Sequence, residues 1–322
     1  MVLISSCEKG GMLMAEMLGA KEMLERRQKK RDQMQKMKER AQELYSKALD
    51  KSNELFDSGD LSPYLSILVR LHRYNYYNLL LVLSQYPTAT NLKNFNEWRK
   101  MIPNSNDWVL KKGVKGIELI APFTDIQQNG IRSLSWFAIN QFDITQTNIP
   151  NLNPTPSIYY SGVQHKKTLI RALRSLLRNN FGATIFMDLY PQELYGLAGQ
   201  IKGSEIHCHN NLSDNEFLLW FSECLLIFLH PEKEIGERYT RMFIQMAQHC
   251  LFRIWEITDS QLLFLPDNKE IIQNIPFELR AVFLNLLQCC VRNIVEGTCC
   301  YYKLELSQKE DSNHSEFVSN PY

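Results

Sequence analysis

No run of about eighteen or more apolar residues occurs in the 322-residue chain, so no membrane-spanning helix is expected. The opening Met1-Val2-Leu3-Ile4-Ser5-Ser6-Cys7 lacks a basic leading region and a long apolar core, so it does not read as a lipoprotein signal. The eight cysteines contain no Cys-x-x-Cys pair, which argues against a zinc ribbon. Two adjacent pairs, Cys289-Cys290 and Cys299-Cys300, are poorly spaced to bridge themselves, and free thiols in a reducing cytoplasm are expected. Internal repeats are missing. So is a large net charge, at +1, but that figure conceals an asymmetry. Residues 1–120 carry 20 Lys/Arg against 14 Asp/Glu, and residues 121–322 carry 16 against 21. An anionic partner is therefore expected to meet the front of the chain only.

What the front holds is a mixture of cations, amides and rings. His72-Arg73-Tyr74-Asn75-Tyr76-Tyr77-Asn78 runs into an apolar stretch and then Gln85-Tyr86-Pro87-Thr88-Ala89-Thr90. Further on, Lys111, Lys112 and Lys115 surround Gly113 and Gly116 between two short apolar segments. Aromatic planes beside positive charge suit an unpaired nucleic-acid strand, because bases stack on rings while Lys and Arg offset phosphate charge. The nucleic-acid-binding candidates are Arg70, Arg73, Tyr74, Tyr76, Asn78, Trp98, Lys111, Lys112 and Lys115. Two of them carry an equally simple structural reading. Trp98 is either a core anchor or a stacking platform, and Asn78 either touches DNA or ties down a neighbouring backbone.

Residues 13–50 are dense in Glu, Lys, Arg, Gln, Met and Ala, which predicts one long helix, basic over 26–40. A second helix is expected over 61–84, ended by Pro87, and a short one near 91–101. A strand pair turning at Lys111–Gly116 and a strand over 133–142 complete an α+β module. Three prolines in 147–157 suggest a linker. Beyond it the pattern reads helix 163–180, then strands 182–189, 195–201 and 204–209. Helices follow at 214–229, 234–255 and 276–296, with a polar, disordered tail after 306. Ser213-x-x-Glu216 has the form of a capping box.

The block from 46 to 147 resembles the N-terminal single-stranded-DNA-binding domain of ArdC-type antirestriction proteins and their LtrC-like relatives on mobile elements. The residues carrying the resemblance, in order, begin with His72, Tyr74, Asn78, Leu79, Leu80, Gln85, Pro87, Ala89, Thr90 and Trp98. Val109, Lys112, Gly113, Gly116, Ile117, Ala121-Pro122 and Phe142-Asp143-Ile144-Thr145-Gln146-Thr147 follow. The resemblance implies a second domain like a zincin metallopeptidase, with His-Glu-x-x-His on a capped helix. Here that position reads Ser222-Glu223-Cys224-Leu225-Leu226, so both imidazoles are replaced and only the glutamate remains. A degenerate, non-catalytic domain without a cofactor is expected.

These readings combine into an α+β chain with four parts. A basic helical extension occupies 1–45, the DNA-binding domain 46–147, the degenerate zincin-like domain 158–265, and a helix with a polar tail 266–322. The expectation is a cytoplasmic, non-enzymatic single-stranded-DNA-binding protein of a mobile element, protecting DNA against restriction. A host or element-encoded protein is a possible further partner, while a membrane or small-molecule substrate is not expected. Two other readings stand beside it. One is a metallopeptidase with unusual ligands, in which His207 and His209 on one strand face join Glu223 or His230. The other is a protein-interaction module built on the second domain.

Overall fold

A computed structural model of the chain describes residues 5–101, 109–126, 132–149, 163–189, 198–260, 262–263, 265 and 267–318. The order begins α1 Ser5–Ser58, α2 Ser62–Leu71, α3 Tyr76–Gln85, β1 Leu92–Lys93, α4 Phe95–Lys100, β2 Ile117–Ile126 and β3 Arg132–Asp143. It continues α5 Val163–Phe181, β4 Thr184–Leu189, β5 Gly199–Lys202, β6 Glu205–His209 and α6 Asp214–Phe228. Then come α7 Glu232–Ile235, α8 Glu237–Ile254, α9 Lys269–Gln273 and α10 Phe277–Val318. The fold is α+β, with three-stranded sheets ordered β1-β3-β2 and β4-β6-β5. No helix among the described residues is long and apolar enough to cross a membrane.

The long helix forms as its composition predicts, but it runs past residue 45 without a break. The boundary drawn there falls inside α1. What changes near that point is burial. Residues 23–32 are exposed, whereas Ala41, Leu44, Ala48, Leu55 and Phe56 recur at helical spacing and are buried. Gly59, at φ +71°, ends α1 in the left-handed region that a side chain rarely enters.

The helix expected over 61–84 is two. Asn75, in extended conformation, caps α3 by accepting from the Asn78 backbone N at 2.9 Å. The strand pair expected to turn at Lys111–Gly116 does not close on itself either. Leu110 bridges Thr147 and Ile117 pairs with Gln141, so both flanks lie antiparallel to the 132–148 segment. Residues 111–116 are an excursion from one interrupted ladder. A backbone that already has a partner strand gains nothing by folding onto itself.

In the second half, Ser213 and Glu216 form the expected reciprocal cap on α6, and Gly203, at φ +60°, turns β5 into β6. Gly236 divides the helix expected over 234–255 into α7 and α8. The expected disordered tail is instead helical as far as Val318. The expected linker lies largely outside the described residues, which omit 150–162. The described cysteines are free thiols.

One apolar core runs from Ala41 to Tyr302 and joins both halves. Polar bonds cross the same junction. Tyr64 Oη donates to Leu284 O at 3.1 Å, and Gln288 Nε2 donates to His72 O at 2.9 Å.

Candidate nucleic-acid interface

The first sheet is framed by side-chain amides. Asn78 Nδ2 donates to Ile120 O and Asn78 Oδ1 accepts from Ile120 N, each at 2.9 Å. Two turns further along α3, Gln85 does the same with the backbone of Glu118, at 2.9 and 3.0 Å. The free edge of β2 is thus completed by two carboxamides rather than by another strand, which blunts an exposed ladder. Asn78 is buried, so of its two sequence readings the structure gives the one in which it ties down a backbone.

Asp143 anchors the opposite end. It is fully buried, and its Oδ2 accepts from Thr90 N at 2.7 Å and Asn91 N at 2.9 Å. Its Oδ1 accepts from Thr145 N at 3.0 Å and Thr145 Oγ1 at 2.7 Å. Gln146 returns to bond Asp143 N and Lys115 O, both at 2.9 Å. The Gln85–Thr90 and Phe142–Thr147 segments, far apart in sequence, are therefore one hydrogen-bonded device.

Several other candidates face inward. Trp98 is wholly buried and donates Nε1–H to Phe142 O at 2.8 Å, so it is the core anchor. Tyr76 is also buried, its ring 3.8 Å from that of Tyr77. Tyr74 is half-buried and donates to Leu92 O and Gln141 Oε1, while desolvation pushes its phenol up to about 12. Arg70 donates to Pro87 O at 2.6 Å, and Lys111 Nζ to Thr145 O at 2.7 Å. Asn78, Tyr76 and Trp98 are unavailable to a strand at the surface because a buried ring or amide already has its partners. Arg73, Lys112 and Lys115 remain exposed.

The surface left open is a groove the sequence did not point to. Three concavities adjoin one another, and each is lined by Asn140. The first, about 220 Å³, has α1 as one wall through Gln33, Lys36, Met37 and Arg40. The second, about 610 Å³, is lined by Lys115, Gly116, Tyr86 and Gln146. The third, about 630 Å³, reaches Phe95 and Lys100. A Cβ at Gly116 would lie 3.0 Å from Asn140 Cβ, so glycine keeps the floor open there. Glu118 is the acid of the first two concavities. Arg40 donates to it from Nε at 2.9 Å and also meets Glu43, and that pairing holds the Glu118 carboxyl below its ordinary range. Glu97 lines the third concavity and accepts from Asn94 N at 2.9 Å; with Glu118 matched by Arg40, the cations of the groove are Lys36, Lys100 and Lys115. Legible beforehand were the basic 26–40 segment and Lys115; Asn140 was not singled out.

In the second domain, Ser222 and Leu226 are both fully buried on α6. Ser222 Oγ donates to Leu219 O at 2.9 Å and accepts from Gln248 Nε2 at 3.0 Å. Neither residue fits a metal, since leucine has no lone pair and the serine hydroxyl is occupied. Glu223 is half-buried, and its carboxyl is pushed up by desolvation and drawn back by the charge of Arg241. His207 stacks on Phe186 at 4.9 Å and lies 3.4 Å from Glu205, and His209 Nδ1 accepts from Asn211 N at 3.3 Å. Among the described residues, no three His, Cys, Asp or Glu side chains are grouped to hold an ion.

No family model and no curated protein matches the sequence. Among solved structures, the chain is similar to the metal-free antirestriction protein ArdC from plasmid R388, with 11% identity and a TM-score of 0.46. The match covers 79% of this chain and 97% of that one. The Mn(II)-bound structure of the same protein matches at 11% identity with a TM-score of 0.39, over 73% of this chain and 97% of that one.

Proposed function

We propose that the chain is a sequence-tolerant single-stranded-DNA-binding protein of the ArdC-like antirestriction kind. In this reading it is carried by a mobile element and acts in the cytoplasm without catalysis. The observation that carries it is the groove meeting at Asn140, with lysines from three separate elements and the rings of Tyr86 and Phe95 beside them. The ordered motif residues between His72 and Thr147 support it from the sequence side. Phosphates lie against Lys36, Lys100 and Lys115 in the groove and against Lys112, exposed on the same 111–116 excursion as Lys115, and bases stack on the rings at about 1–3 kcal/mol each. The second domain serves as a scaffold rather than a peptidase.

Titrating a fluorescent single-stranded oligomer against salt tests the reading. Four neutralised phosphates give a slope of about −3 in log affinity against log salt. Replacing Lys112 and Lys115 together by Glu lowers both affinity and slope. Binding that is absent at low salt, or indifferent to that double change, ends the proposal.

A further inference from the structure

Away from the groove, a concavity of about 440 Å³ opens between α2 and α8. Ser62, Ser66 and Arg70 line it from α2, spaced four residues apart along one helix face. His249 and Arg253, also four apart, line it from the end of α8. The rest of its lining is aliphatic. Its size is that of a small-ligand site.

The charge here has one sign. Among the described residues, no acidic side chain lines the cavity and no carboxylate forms an ion pair with Arg70 or Arg253. The acid that Arg70 feels is Asp143, whose oxygens are already taken by four hydrogen bonds. Arg70 is held in place by Ser66 O at 3.2 Å and Pro87 O at 2.6 Å, through Nε and Nη2, so Nη1 has hydrogens to give. His249 Nδ1 lies 3.0 Å from Leu263 O. A carbonyl only accepts, so Nδ1 carries the proton; burial, and then Arg253, hold the ring below its ordinary pKa, so its second nitrogen is an acceptor until the ring is charged. Two guanidiniums and two hydroxyls around an aliphatic hollow form a donor set suited to an anion.

We propose that this cavity binds a phosphomonoester carried on a nucleotide-sized body. A dianion matches the two guanidiniums in charge, and its three terminal oxygens accept from both helix walls at once. A carboxylate, planar and singly charged, uses one guanidinium fork. The aliphatic lining receives the sugar or base. A free mononucleotide and the phosphorylated 5′ end of a strand offer the same chemistry. The proposal does not rest on the groove.

Calorimetric titration of the full chain with adenosine 5′-monophosphate, adenosine, and 5′-phosphoryl or 5′-hydroxyl oligothymidylate tests it. Adenosine 5′-monophosphate is expected to bind and adenosine not. Arg253→Glu is expected to weaken binding about tenfold or more, the worth of one charged hydrogen bond. Ser66→Glu, on the facing wall, gives the same result by an independent route should the first variant misfold, and a thermal melt of each checks that. Replacing Lys112 and Lys115 by Glu leaves binding of the monophosphate unchanged. If the 5′-phosphoryl oligomer alone binds more tightly than its 5′-hydroxyl form, and Arg253→Glu removes the gain, the natural source is a strand end. Failure of both phosphate probes to bind, or binding that neither acidic substitution weakens, overturns the proposal.

Discussion

The β2–β3 sheet and the α6 helix handle polarity in opposite ways. At the sheet, Asn78, Gln85 and Asp143 are turned inward and used up on backbone groups. At α6, Ser222 and Leu226 are both in the core, the serine bonded to Leu219 O and Gln248 Nε2. In one region polar side chains hold the backbone together, and in the other a helix face is given over to packing. A recognisable motif residue is therefore as readily a joist as a contact. In the proposed function, recognition falls to the less conspicuous side chains between the joists.

The comparison breaks most readily at Asp143. Asp143→Ala strands four donors and should cost about 3–5 kcal/mol in urea unfolding. A near-neutral result would mean the buried carboxylate is not the joint it seems from its bonds. Asn78→Ala leaves Ile120 N and O unpaired at the sheet edge, with an expected loss of about 2–4 kcal/mol. Its single-stranded-DNA affinity, measured below the melting point, should stay near that of the parent chain.

On the other side, Leu226→His buries an imidazole without a partner and should cost about 2–4 kcal/mol. If Ser222→His combined with Leu226→His kept its stability and gained tight zinc binding, α6 would have to be read as a latent site rather than as core. Glu223 gives the smallest effect. Burial raises its folded-state pKa, so its contribution is intact below the unfolded value and is lost as pH rises through the folded one. Glu223→Gln should therefore stabilise the chain at pH 7 relative to pH 4, by under about 1 kcal/mol. Melting curves at the two pH values decide it, and an unchanged difference would show the carboxylate to be well solvated.

Local order was legible because local physics sets it. The Ser213–Glu216 cap and the helix formers of α1 each depend on neighbours a few residues away. The break between α2 and α3 was not, because Asn75 caps a helix inside a run whose apolar spacing continues across it. The Lys111–Gly116 turn misled for a related reason. Its flanks read as each other's partners until the 132–148 segment supplied a better one.

The sequence by itself settled the long basic helix of α1, the capping box on α6 and the basic front. Those follow from propensity and charge, which need no third dimension. Tertiary structure alone decided that Trp98, Tyr76 and Asn78 point inward while Lys36, Lys100 and Lys115 share a groove with Asn140. The reason is physical: a ring or an amide serves core and surface equally well, and only the partners within reach after folding choose between them.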